Sequence, residues 1–128
     1  MKKLIHPLLT EECTFIVHED EPKFGTPHHF QVQVNSRADL VKYRGKMIKV
    51  DFQEGSVKEN GVNGIANEDA LVMVLARLEG AQNTKYKCEE NSESIFAEAI
   101  SHIEAALKIL KERTNKRVEL NVKGTSIV

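Results

Sequence analysis

The sequence predicts an α+β fold: an N-terminal antiparallel β-sheet followed by an antiparallel two-helix hairpin, dimerising through its helices. Two patterns carry the fold class. Up to about residue 65 apolar residues alternate with polar ones, and beyond it they recur at spacings of three and four. A glycine-rich stretch, residues 55–66, lies between the two patterns. The expected organisation is one domain over 1–128, with a sheet region at 1–54, a loop at 55–66, a helical hairpin at 67–115 and a C-terminal segment at 116–128.

Four segments read as strands. Cys13 to His18 is a short β-branched run ended by Glu19-Asp20-Glu21-Pro22, and Phe30 to Val34 has a clean period of two. Leu40 to Tyr43 is a weaker third. Met47 to Phe52 puts Ile48, Val50 and Phe52 on one face and Lys49 and Asp51 on the other. Arg44-Gly45-Lys46 suits a hairpin turn between the last two. Asn67 then caps a helix over about 68–80, with Glu68 and Asp69 at the positive end of its dipole and Gly80 weakening its far end. Leu71, Val74, Leu75 and Leu78 form its stripe, widened by Val72 and Met73 until the helix is apolar nearly all round. Such a helix needs cover on two sides, from the sheet and from a partner chain. A second helix starts near Asn91 or Ser92, favoured by Glu89 and Glu90. It carries Ile95, Phe96, Ala99, Ile100, Ile103, Leu107 and Leu110 inward and ends at Thr114-Asn115. Val118, Leu120 and Val122 alternate again, as a short last strand would.

Composition narrows the class. With 128 residues, 41% hydrophobic and 29% charged, the chain is an ordinary globular protein. A net charge of −1 gives no general attraction to nucleic acid or an anionic membrane. The longest apolar run, Ala70 to Ala76, is too short to span a bilayer, and the lysines at the start are followed by His6-Pro7 and acidic residues rather than a signal sequence. Cys13 and Cys88 have no metal or redox spacing and read as free thiols of a soluble, cytoplasmic protein.

Reactive constellations are weak. His28 and His29 are neighbours at the start of a strand, so alternation sends them to opposite faces, where they cannot easily share an ion; His6, His18 and His102 fall at no ligand spacing. No nucleophile motif or phosphate-cradling loop is present, so no enzyme, no metal and no cofactor are expected. Lys108, Lys111, Arg113, Lys116, Arg117 and Lys123 outnumber Glu112 and Glu119 near the C-terminus. Cations belong at a helix C-terminus in any case. The functional alternative is an anion site of phosphate type, with an arginine fork and Gly124-Thr125-Ser126 as further donors. Duplex nucleic acid is a poor fit, for want of a broad basic surface with interleaved aromatics.

Several segments, in order and at matching separations, resemble one family. They are Pro27-His28-His29-Phe30, Phe52-Gln53-Glu54-Gly55, Gly61-Val62-Asn63-Gly64, Asn67-Glu68-Asp69, Tyr86-Lys87-Cys88 with Glu90-Asn91, Arg113-Thr114 and Gly124-Thr125-Ser126. The family is the phage-encoded Thoeris anti-defence proteins of the first type. The resemblance implies a non-enzymatic, ligand-binding sponge in the cytoplasm of an infected bacterium. It would bind a cyclic ADP-ribose isomer, with cyclic di- and trinucleotides as further ligands, as a homodimer or a hexamer built from dimers. Asn91 and Arg113 match ligand-contacting positions of the family. Ala81, ahead of Gln82, stands where the family has a stacking aromatic, which makes Tyr86 the nearby substitute to consider. Gly124 and Thr125 complete the expected ligand set. The competing expectations are a direct protein–protein inhibitor of a defence enzyme or effector, and a small hydrolase using His28 or His29.

Geometry constrains the first expectation. Asn91 and Arg113 are 22 residues apart on one predicted helix (113 − 91), roughly 33 Å at about 1.5 Å per residue. No single nucleotide spans that; if both touch one ligand, as the resemblance implies, they come from two chains with antiparallel second helices, and a two-fold dimer then carries two such pockets.

Overall fold

The computed structural model describes residues 1–10, 13–35, 46–82 and 92–119. They form two compact units that divide between Ile65 and Ala66, at the boundary where the sequence changes period.

The first unit is a four-stranded antiparallel sheet in the order β1 (Lys2–Lys3), β2 (Thr14–His18), β3 (His29–Val34) and β4 (Lys46–Asp51). Register follows the apolar alternation. Ile16 pairs with Val32 and Val32 with Ile48, while His18 pairs with Phe30 and Phe30 with Val50. One face is therefore apolar, and its ring pairs His18–Phe30 and Phe30–Phe52 meet edge to face at 6.0 and 5.7 Å between centroids. The other face carries Val17 opposite Gln31 and His29 opposite Asp51. Among the described residues Val17 is the one buried hydrophobic side chain, and half of Ile48 is exposed. The sheet is only thinly covered.

Three details depart from the sequence reading. β1 was not expected: two lysines carry no periodicity, and only pairing with His18 and Val17 makes them a strand. Strands β3 and β4 begin one residue earlier than predicted, at His29 and Lys46. The loop expected at 55–66 contains one helical turn, α1 (Val57–Asn60), because the buried Ser56 hydroxyl accepts the Glu59 N–H at 3.1 Å. The candidate strand at Leu40 to Tyr43, and Arg44 and Gly45 of the predicted turn, lie outside the described residues.

The second unit packs α2 (Asn67–Gln82) against α3 (Ser92–Glu119). Asn67 is the first helical residue rather than the cap. Ala66 and Asp69 close the start instead: the Ala66 N–H donates to Asp69 Oδ2 at 2.8 Å, and the Asp69 N–H donates to the Ala66 carbonyl at 3.1 Å. Gly80 does not stop α2, since a glycine inside a helix costs only about 1 kcal/mol. Leu71, Leu75 and Leu78 are half-buried, whereas Val72, Met73 and Val74 are exposed. α3 runs past the expected end at Thr114-Asn115 and takes in Val118, which the sequence placed in a last strand. The Thr114 hydroxyl donates to the Leu110 carbonyl one turn back at 3.1 Å, so the helix continues through it. The rest of that predicted strand, Leu120 and Val122, lies outside the described residues.

Candidate functional site

Of the residues predicted to touch ligand, Ala81 and Gln82 form the last turn of α2, and Arg113 lies exposed on α3. Asn91, Tyr86, Gly124 and Thr125 lie outside the described residues. α3 is unbroken from Ser92 to Glu119. Its near end and Arg113 are therefore held roughly 32 Å apart at about 1.5 Å per residue. Ile109, one turn before Arg113, and Ile95, about five turns before it, share its side of the helix; they are 66% and 58% exposed. The Glu98–His102 pair, 3.8 Å apart and also exposed, completes that side. Lys108, Lys111 and Lys116 are exposed as well, as a solvated helix end requires.

A second constellation, unforeseen in the sequence, gathers where β2 ends, β3 begins and β4 ends. Both Glu19 carboxylate oxygens accept the His28 N–H, at 3.2 and 3.3 Å, and Oε2 also accepts the His29 N–H at 3.1 Å. His29 reaches two more carboxylates. Its Nδ1 is 2.8 Å from Asp51 Oδ1 and its Nε2 is 3.2 Å from Glu54 Oε2. The Asp51 hydrogen bond chiefly raises the His29 pKa above 6.5, helped by Glu54 and by the charges of Asp51 and Glu19, against a lowering by burial. Lys23 Nζ stands 3.7 Å from the other Glu54 oxygen.

His28 is the unusual member. Its side chain is 3% exposed, and neither ring nitrogen has a hydrogen-bond partner. Its Nδ1 lies 4.0 Å from Glu54 Oε2, the atom that His29 also approaches. Alternation holds within a strand, but β3 begins at His29, so the two rings are not bound to opposite faces. Phe24 packs edge-on against the His28 ring at 6.0 Å, from a turn in which Phe24 itself has φ 57°. That left-handed backbone costs a non-glycine residue about 1–2 kcal/mol.

Glu54 is positioned by an interlocked loop. Its N–H donates to Asn63 Oδ1 at 2.8 Å, and Asn63 Nδ2 donates back to the Glu54 carbonyl at 2.9 Å. Gln53 Nε2 donates to the Gly61 carbonyl, and Gln53 Oε1 accepts the Asn63 N–H. Gly64 passes so close to the Phe52 carbonyl that a Cβ would collide with it. Three of the segments that carry the resemblance, around His28, Gln53 and Asn63, thus meet in one place. His29 was weighed from the sequence for metal and hydrolase chemistry, and the missed Glu54 belongs to the same segments, whereas Glu19 and Asp51 join them only through strand register.

The fold defines a small α+β protein with a four-stranded antiparallel sheet ahead of its two long helices, and none of the described helices is long and apolar enough to cross a membrane. No family model matches the chain. It is 40% identical over 144 residues to Thoeris anti-defense 1 of Bacillus phage SBSphiJ7, a match that covers 98% of this chain and 98% of that relative. The chain belongs to the Thoeris anti-defence 1 family.

Proposed function

We propose that this anti-defence protein acts by sequestration: it binds a cyclic nucleotide immune signal, a cyclic ADP-ribose isomer in the first place, and withholds it uncleaved from the defence effector. Cyclic di- and trinucleotides are further ligands of the same reading. The kinship with Thoeris anti-defense 1 over nearly the whole of both chains is the observation that carries it.

The helix geometry supports a shared pocket. α3 is continuous, so Arg113 and the first turn of the helix at Ser92 lie farther apart than one nucleotide reaches, which favours a pocket shared between chains. In this reading two chains with α3 antiparallel bring one protomer's Arg113 to the start of its partner's α3, whose first residue is next in sequence to Asn91. The exposed Ile95 and Ile109 on the Arg113 side give such a pairing an apolar surface to bury. Arg113 supplies the guanidinium fork for a phosphate.

The test is recovery of the signal. Defence-cell extract is incubated with the protein, which is then removed and heat-denatured. Sequestration predicts an extract depleted of small-molecule activity and the intact cyclic nucleotide released from the denatured protein. Degraded nucleotide would instead make the protein an enzyme, and an extract that keeps its activity would make it a direct protein–protein inhibitor.

A further inference from the structure

We propose that Glu19, His29 and Glu54, with His28 as fourth donor, form a binding site for a divalent transition-metal cation of the zinc class. The proposal does not depend on what the helical unit binds.

Donor spacing is the first observation. One ligand atom each from Glu19, His29 and Glu54 lie within 4.8 Å of one another. A four-coordinate cation with bonds of about 2.0–2.1 Å needs its donors about 3.3 Å apart. His29 Nε2 is 3.2 Å from Glu54 Oε2 and 4.0 Å from Glu19 Oε2. Small side-chain rotations bring all three onto one ion.

Carboxylate clusters at a protein surface are common without any ion, and hydrogen bonding alone accounts for Glu19 and Glu54. It does not account for His28. A ring 97% buried, with both nitrogens lacking hydrogen-bond partners, is a costly arrangement. Its Nδ1 sits 4.0 Å from the same Glu54 oxygen that faces His29. A cation between these groups gives that nitrogen a partner.

Asp51 supplies a third observation. Metal-bound histidines characteristically give their other ring N–H to a carboxylate, which fixes the tautomer and aims the lone pair. Asp51 Oδ1 holds His29 Nδ1 at 2.8 Å and leaves Nε2 toward Glu54 and Glu19. In the bound state the cation takes the place of the Nε2 proton, which leaves to solvent. Asp51 is a positioning residue here rather than a ligand. Lys23, 75% exposed, is the cation's competitor for Glu54 and is free to swing out into water.

Two imidazoles with two carboxylates suit Zn²⁺ better than Mg²⁺ or Ca²⁺, which prefer all-oxygen shells. The ion would join the ends of β2, β3 and β4 in a sheet whose own apolar cover is thin.

The test uses the full chain, stripped with EDTA and titrated with Zn²⁺ by calorimetry, with metal content checked by mass spectrometry after dialysis. One Zn²⁺ per chain and a rise in Tm are expected. His29→Gln and Glu54→Gln should each weaken binding at least ten-fold, Asp51→Asn about ten-fold, and His102→Gln on α3 not at all. Should the variants misfold, imidazole ¹⁵N spectra of the unaltered protein decide: Zn²⁺ must shift His29 Nε2 while the Nδ1 proton is retained. No stoichiometric zinc, or binding that survives both His29→Gln and Glu54→Gln, overturns the proposal, as does a ¹⁵N spectrum in which His29 Nε2 stays unmoved.

Discussion

His29 and Asp51 face each other across the β3–β4 ladder, and the ladder itself sets His29 Nδ1 2.8 Å from Asp51 Oδ1. The contact is a consequence of register, and it links the protonation of one side chain to the folding of the sheet.

In metal-free protein, Asp51→Asn should bring the His29 pKa back down toward its ordinary 6.5, read by NMR titration of the imidazole in EDTA. Both side chains are more than a third exposed, so the loss of stability should stay under about 1 kcal/mol. Its pH window follows from the direction of the shift. A raised folded-state pKa stabilises fully below 6.5, and the contribution fades as pH rises through the elevated value. Denaturation curves of wild type and Asp51→Asn should therefore differ most in mild acid and converge in mild alkali.

Gly64→Ala and Gly61→Ala separate two reasons for a glycine. At Gly64 the added Cβ meets the Phe52 carbonyl, where β4 runs on toward Glu54. That collision forces the backbone apart, at about 1–3 kcal/mol. At Gly61 a Cβ meets nothing within 4 Å, but φ +70° with ψ 179° is a backbone region held almost only by glycine, so the whole cost, about 1–3 kcal/mol, is conformational. Urea melts should show a loss for both; an unchanged midpoint for Gly64→Ala would show that the loop gives way there, and an unchanged one for Gly61→Ala that its turn takes another conformation.

Asp69→Ala removes the acceptor for the Ala66 N–H at the start of α2. A loss of about 1 kcal/mol is expected, with an unchanged dependence on denaturant. Asp69→Asn should keep part of it, because its amide oxygen still accepts. A change in Asn67 should matter less, since Asn67 is not the cap.

The shared pocket predicts complementation. Arg113→Ala and Asn91→Ala should each abolish nucleotide uptake as homodimers while leaving the dimer intact by light scattering. A statistical mixture of the two should recover about a quarter of wild-type capacity, because half its dimers regain one of two pockets. No recovery on mixing would place both residues on one chain's ligand, or on none.

The fold was legible wherever periodicity had room to repeat. Phe30, Val32 and Val34 announced β3, and the spacing from Ile95 to Leu110 announced α3. Short or bond-dependent features were not. Lys2–Lys3 becomes a strand only through its partners, and Thr114 stays helical through a hydrogen bond to Leu110. The cluster at His29 was hidden for a related reason. Its contacts to Glu19, Asp51 and Glu54 span 10, 22 and 25 residues, and only a known register brings such distant positions together. The resemblance pointed to the loop segments around Glu54, yet it gave no hint that His28 would be left buried without a partner.

The unbroken course of α3 also restricts how relatives can differ in length. One residue inserted between Ile95 and Arg113 would swing the arginine about 100° around the axis and carry it about 1.5 Å further away. Only additions or deletions near whole turns keep the guanidinium on its original side, and even those alter the span by about 5 Å or more. Viable length changes should therefore collect at the chain's joints, while this rod keeps a constant gauge.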